Sequence, residues 1–224
     1  MTAGNSVTRD HLQSALALHF LSEGFQSPDA AWEERFRALI PGAAAVAPPL
    51  PAFSAGNLAP EHFRLFGPAP ACPQELTLHL AENPFEQARM MAHMAGFYRA
   101  FGLDPTPGER PDNLAVALSF LSFLCLKERN AAEKGLTEAR EVTANAVADF
   151  TREFLAPGVA AFSVKLATQT SDPFYLALTE MLRRELFSIH SPVVEPASRW
   201  EPRPDDDKEG DELTCGPFKQ PLPR

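Results

Sequence analysis

Cysteine, histidine and carboxylate side chains are the first places to look for chemistry in this sequence. Cys72, Cys125 and Cys215 lie far apart, are odd in number and form no C-x-x-C pair, so neither a disulfide framework nor a redox motif is expected. Cys125 sits in the most apolar segment and reads as a small buried hydrophobe. Cys72 and Cys215 sit among prolines and glycines and are expected to be exposed. His79 and Glu82 are three residues apart, but in a segment of ambiguous periodicity. His93 has Arg89 and Phe97 four residues to either side, which is no ligand set. The sequence carries no G-x-S-x-G elbow, no G-x-x-x-x-G-K-[ST] loop and no G-x-G-x-x-G turn. No catalytic residue, metal or cofactor is therefore assigned, and a protein that binds another protein is the expectation.

Two stretches survive this search. One is a Pro/Gly-rich loop between two well-marked helices, Asp104 to Asn113, ending Glu109-Arg110-Pro111-Asp112-Asn113. Asp112 stands at the start of a helix, where a carboxylate can cap it; capping does not preclude binding. The other is Leu65-Phe66-Gly67-Pro68 followed by Cys72-Pro73-Gln74-Glu75, which reads equally well as an irregular turn.

The elements that must hold these loops are helices. One is expected from about Thr8 to Glu23. A second is capped by Ser27 with Pro28 in its first turn, and carries Trp32, Phe36 and Leu39 at helical spacing up to Pro41-Gly42. Residues 41–60 read as a long connection. Pro60 to Phe66 forms a short segment. Glu75 to Leu80 alternates with period two but finds no partner strand, and is taken as an extended loop or short helix. Asn83-Pro84-Phe85-Glu86 is the clearest helix start, and Gly102 its stop. Pro111-Asp112 opens a helix that is apolar nearly all round to Leu126, and Lys127-Glu128-Arg129 bring it back to water. A helix from about Ala131 to Leu155, broken by Pro157-Gly158, one from Val159 to Thr168, and a last one begun by Ser171-Asp172-Pro173 complete the set. The fold class is all-α: a single-domain bundle of about seven to nine helices over residues 1–190. A Pro-rich acidic tail over 191–224 is expected to be disordered.

Bulk properties agree. The 224 residues are 45% apolar and 22% charged, with 22 prolines lying between segments. The net charge is −9. No basic stripe exists for nucleic acid, and a cationic peptide is the better electrostatic match. The longest apolar run, Leu114 to Leu126, falls short of the roughly 20 residues that span a bilayer. The start of the sequence lacks the layout of a secretory signal. Arg183-Arg184 lies late in a helix and is no export signal.

In order and spacing the two surviving stretches resemble the TorD/DmsD/NarJ family of molybdoenzyme maturation chaperones. The residues that carry the likeness are Leu65-Phe66-Gly67-Pro68, Pro73 and Glu75, Ala95 through Leu103, Glu109 through Val116, Leu126-Lys127-Glu128, and Asp172-Pro173-Phe174-Tyr175. It covers about residues 8 to 190 and departs from the family where Asn113 replaces the usual histidine. The resemblance implies a cytoplasmic, non-catalytic chaperone. Its partner would be the precursor of a molybdopterin-containing catalytic subunit, bound at its twin-arginine signal or N-terminal segment and held until the cofactor is inserted. It implies a peptide-binding site among Glu75, Phe97, Tyr98, Glu109, Arg110, Pro111, Asp112 and Asn113. The carboxylates would meet arginines, and Phe97, Tyr98, Met90, Met91 and Met94 would meet apolar groups, although Met91 and Met94 read better as core. A monomer or a domain-swapped dimer is compatible, and a helical adaptor of another assembly is the alternative.

Overall fold

A computed structural model describes residues 11–43 and 49–189. The disordered tail expected over 191–224, Cys215 and the first residues of the opening helix lie outside the described residues. The described chain is all-α: α1 (His11–Gly24), α2 (Ala30–Ala43), α3 (Ala55–Phe66), α4 (Thr77–Leu80), α5 (Pro84–Ala100), α6 (Leu114–Glu133), α7 (Thr137–Phe150), a π-helical turn (Thr151–Leu155), α8 (Ala156–Gln169) and α9 (Pro173–Ile189).

The helix starts follow side-chain chemistry. Asn83 caps α5 by accepting the Glu86 N–H at 3.0 Å. Asp172 caps α9 by accepting the Phe174 N–H at 2.9 Å. α2 begins later than its sequence suggests: Asp29, not Ser27, accepts the Trp32 N–H, at 2.6 Å. Proline does not end this helix, because Pro41 lies within its last turn. α3 starts at Ala55, ahead of Pro60, with Ser54 as its cap.

α6 is the central helix, packed against both α1 and α7. Leu114, Leu118, Leu121 and Leu124 are without exposed surface. Two serines tie it to α1: Ser22 Oγ donates to Ala115 O and Ser122 Oγ to Ala15 O, each at 2.8 Å. α6 runs beyond Lys127-Glu128-Arg129 to Glu133, and Glu128 is buried rather than returned to water. The stop is Gly135, whose φ of +65° is a left-handed value open to glycine without a Cβ penalty. The single helix expected over 131–155 is thus the end of α6 and all of α7. Pro157-Gly158 does not break the chain either. The π turn carries α7 directly into α8, with Pro157 just after it, and the Ala156 N–H reaches back five residues to Thr151 O.

Between α1, α2 and α9 the core is aromatic. Trp32 stacks on Phe36 with centroids 5.0 Å apart, Phe36 on Phe20 at 4.6 Å, and Phe174 meets Phe36 edge-on.

Candidate functional site

The two stretches singled out from the sequence meet in space. Leu76 N–H donates to Asp112 O at 2.8 Å, and Leu114 N–H to Gln74 O at 2.9 Å. These bonds make an isolated antiparallel bridge between Glu75 and Asn113. The alternation seen at Glu75–Leu80 therefore reflects one bridge followed by the short helix α4.

Asp112 lies at the centre of this clip with 0% exposure. Its carboxylate accepts from Arg110 Nε and Nη2, both at 2.9 Å, and from the Thr77 hydroxyl. A forked guanidinium–carboxylate pair is among the stronger side-chain interactions. The hydrogen bond to Asp112 raises the Arg110 pKa further above its ordinary value. Arg110 Nη2 also reaches Met91 Sδ at 3.2 Å. Asp112 does not cap α6. Asn113 does, its side-chain oxygen accepting the Ala115 and Val116 N–H groups while its amide nitrogen lies 3.3 Å from Gln74 Oε1. An asparagine suits that double task, because one end must accept and the other donate.

Tyr98 fastens the loop from α5. Its hydroxyl donates to Pro111 O at 2.5 Å, and its ring lies edge-on to Phe120 at 4.6 Å. Burial, reinforced by the Asp112 charge, pushes the Tyr98 hydroxyl pKa well above the ordinary tyrosine value. Phe97 points elsewhere and packs against Phe150 and Phe154. Met90 and Met94 are fully buried and can receive no peptide without rearrangement. Cys72, expected at the surface, is buried, and burial pushes its thiol pKa up to about 12.

Beside the clip lies an open cleft of about 360 Å³ between the 103–109 loop and one side of α6. Leu103, Asp104 and Glu109 form the loop wall; Val116, Ser119 and Phe123 form the helix wall. Glu109 is exposed, and its carboxylate accepts the Thr106 N–H at 3.1 Å. Lys127 stands over the rings of Phe101 and Phe123 at 5.5 and 5.4 Å. Of the eight sequence-expected residues, Tyr98 and Glu109 line this cleft. Glu75, Arg110, Pro111, Asp112 and Asn113 form the clip behind it. Sequence reading missed the helix wall because α6 looked apolar all round. The signal was an exposed polar interruption, Ser119, flanked by Val116 and Phe123 at helical spacing.

Among the described residues no group of three or more His, Cys, Asp or Glu side chains is placed to hold a metal, and no helix is long and apolar enough to cross a membrane.

The sequence profile of the nitrate reductase delta subunit family matches residues 26–163. The chain belongs to that family. The resemblance to TorD/DmsD/NarJ proteins agrees with this membership. A crystal structure of a protein from Archaeoglobus fulgidus, provisionally assigned as a redox enzyme maturation protein, superposes with a TM-score of 0.50. The two sequences are 19% identical, and the match covers 82% of this chain and 99% of the other. At that identity the match shows a shared fold. No curated protein matches the sequence.

Proposed function

We propose that this protein is a non-catalytic, cytoplasmic chaperone for the catalytic subunit of a molybdopterin-containing oxidoreductase. It binds the N-terminal segment or twin-arginine signal of the apoenzyme precursor and holds the precursor while the molybdenum cofactor is inserted. Membership of a maturation family supports the class of partner. The observation that carries the site is the cleft between the 103–109 loop and α6.

That cleft joins two features that a signal peptide combines. Its rim bears two carboxylates, Asp104 and Glu109, and its helix wall exposes parts of Val116 and Phe123. Arginines would meet the carboxylates in charge-assisted bonds, and the peptide's apolar run would lie along α6. Asp112 is committed to Arg110 and Thr77, so its role is to hold the loop. Glu75, Arg110, Pro111 and Asn113 share that task, and Phe97 supports α5 from the opposite side.

Calorimetry with a synthetic peptide carrying Arg-Arg followed by an apolar run tests this reading. The double substitution Asp104→Lys/Glu109→Lys should weaken binding at least about tenfold, equivalent to about 1.4 kcal/mol. Unchanged affinity would remove the electrostatic basis of the proposal.

A further inference from the structure

A second groove lies well outside the clip, between the start of α8 and the last turns of α9, with a volume of about 420 Å³. Val159 and Leu186 form a buried apolar floor, and Ala160 and Phe187 stand at its lip. Phe187 is 65% exposed, an unusual position for so large an apolar ring near the end of a helix. Arg183 and Arg184 stand along the rim and share a single carboxylate, Glu180, at 3.4 and 2.8 Å. Two cations against one anion leave the rim positive. This sign disfavours an arginine-rich signal peptide, so the groove is not a second copy of the cleft described above.

The sequence that follows α9 has the complementary character. Beyond Ile189 come Val193, Val194 and Trp200, and then Asp205-Asp206-Asp207-Lys208-Glu209-Gly210-Asp211-Glu212, with six acids against one base. We propose that the α8/α9 groove is the docking site of the chain's own 193–212 segment. Trp200 covers the apolar floor beside Phe187, and the acidic run lies against Arg183 and Arg184. The reach is ample. Arg184 precedes Ile189 by five residues, about 8 Å along the helix axis. The eleven residues from Ile189 to Trp200 can span up to about 40 Å. A tether of this length holds the segment at roughly millimolar effective concentration, so modest contacts suffice and an unlinked competitor is at a disadvantage.

The test uses the full chain and its two tryptophans. Trp32 is buried in the aromatic core, so subtracting the spectrum of Trp200→Phe from that of the parent isolates Trp200 without disturbing the fold. Trp200 should emit at shorter wavelength than free tryptophan and be quenched several-fold less by acrylamide, independently of protein concentration. Phe187→Asp should abolish the protection, and Arg183→Glu/Arg184→Glu should reduce it. All three altered residues are exposed, so folding survives. Quenching of Trp200 like free tryptophan in the parent chain would overturn the proposal. Protection that ignores the groove substitutions would place the segment elsewhere and overturn it as well. Protection lost on dilution would assign the groove to a second copy instead.

Discussion

Asp112 and Arg110 are two residues apart in sequence and joined by a forked pair of 2.9 Å hydrogen bonds, the carboxylate fully buried and the guanidinium side chain 42% exposed. This asymmetry determines what the pair does. The arginine brings the charge of a loop into register with a carboxylate that α4 also holds through Thr77. The pair is a fastener between the 73–77 and 110–114 segments, and it fixes one wall of the cleft.

Arg110→Ala should therefore destabilise the protein by about 3 kcal/mol, because it strands a buried carboxylate. Arg110→Lys should recover only part of this, since an ammonium cannot reproduce the fork. Urea denaturation of the three proteins measures the order. Equal stability of Arg110→Ala and the parent would show that the pair is not a fastener.

Gly158 is the second point of pressure on the same segment. A Cβ there would lie 3.0 Å from Leu76 Cδ2 and 3.2 Å from Leu76 Cβ, and Leu76 is fully buried while its N–H is bonded to Asp112 O. Alanine gains up to about 1 kcal/mol of helix propensity. Overpacking against an anchored side chain costs about 1–3 kcal/mol. Gly158→Ala should thus be net destabilising by thermal denaturation. In a Leu76→Ala background, where the space is open, the same change should be neutral or stabilising.

Much of this architecture is legible in residue types, and the failures are physical. Asn83, Gly102 and Asp172-Pro173 mark helix ends because their chemistry acts within one turn. Asp112 reads as a cap because sequence shows that a carboxylate stands at a helix start but not that Asn113, one residue later, takes the N–H groups. Cys72 looked exposed from its prolines, whereas burial is decided by α8, some 90 residues on, whose Phe162 carbonyl lies 3.9 Å from its Sγ. The cleft was invisible because its helix wall is a half-buried stripe on a helix whose other faces are all core. Which side of an all-apolar helix stays open depends on which partners arrive.

His62 should govern the stability on mild acidification. Burial holds its pKa below the ordinary histidine value, against the opposing pull of its contact with Phe25 O at 3.3 Å. A depressed folded pKa means that the stabilising contribution is present above about pH 6.5, the unfolded value, and is lost as pH falls through the folded one. His62→Gln keeps a donor for Phe25 O and removes the titration. Its stability should stay flat between about pH 6.5 and 5, where that of the parent falls. Glu33 and Glu61, whose pKa values are lowered by hydrogen bonds, act only in stronger acid. A parallel fall in both proteins above pH 5 would assign the effect to another group.

The clip and the cleft can be separated by substitution. Val116 and Phe123 are half-buried in the α6 wall and also pack against the core, so replacing them removes contact area from a bound peptide and some packing from the core. Val116→Ser/Phe123→Ala should lower affinity for an Arg-Arg apolar peptide about tenfold, with a lower midpoint of urea unfolding but unchanged amide exchange in residues 110–114. Tyr98→Phe should behave in the opposite way. It removes the part-buried 2.5 Å bond to Pro111 O, which costs about 1 kcal/mol. Amide exchange in residues 110–114 should accelerate, and peptide affinity should fall only as far as the loop loosens. If Tyr98→Phe spared stability yet abolished binding, the tyrosine hydroxyl would contact the peptide directly, and the division between a fastening clip and a binding cleft would have to be redrawn.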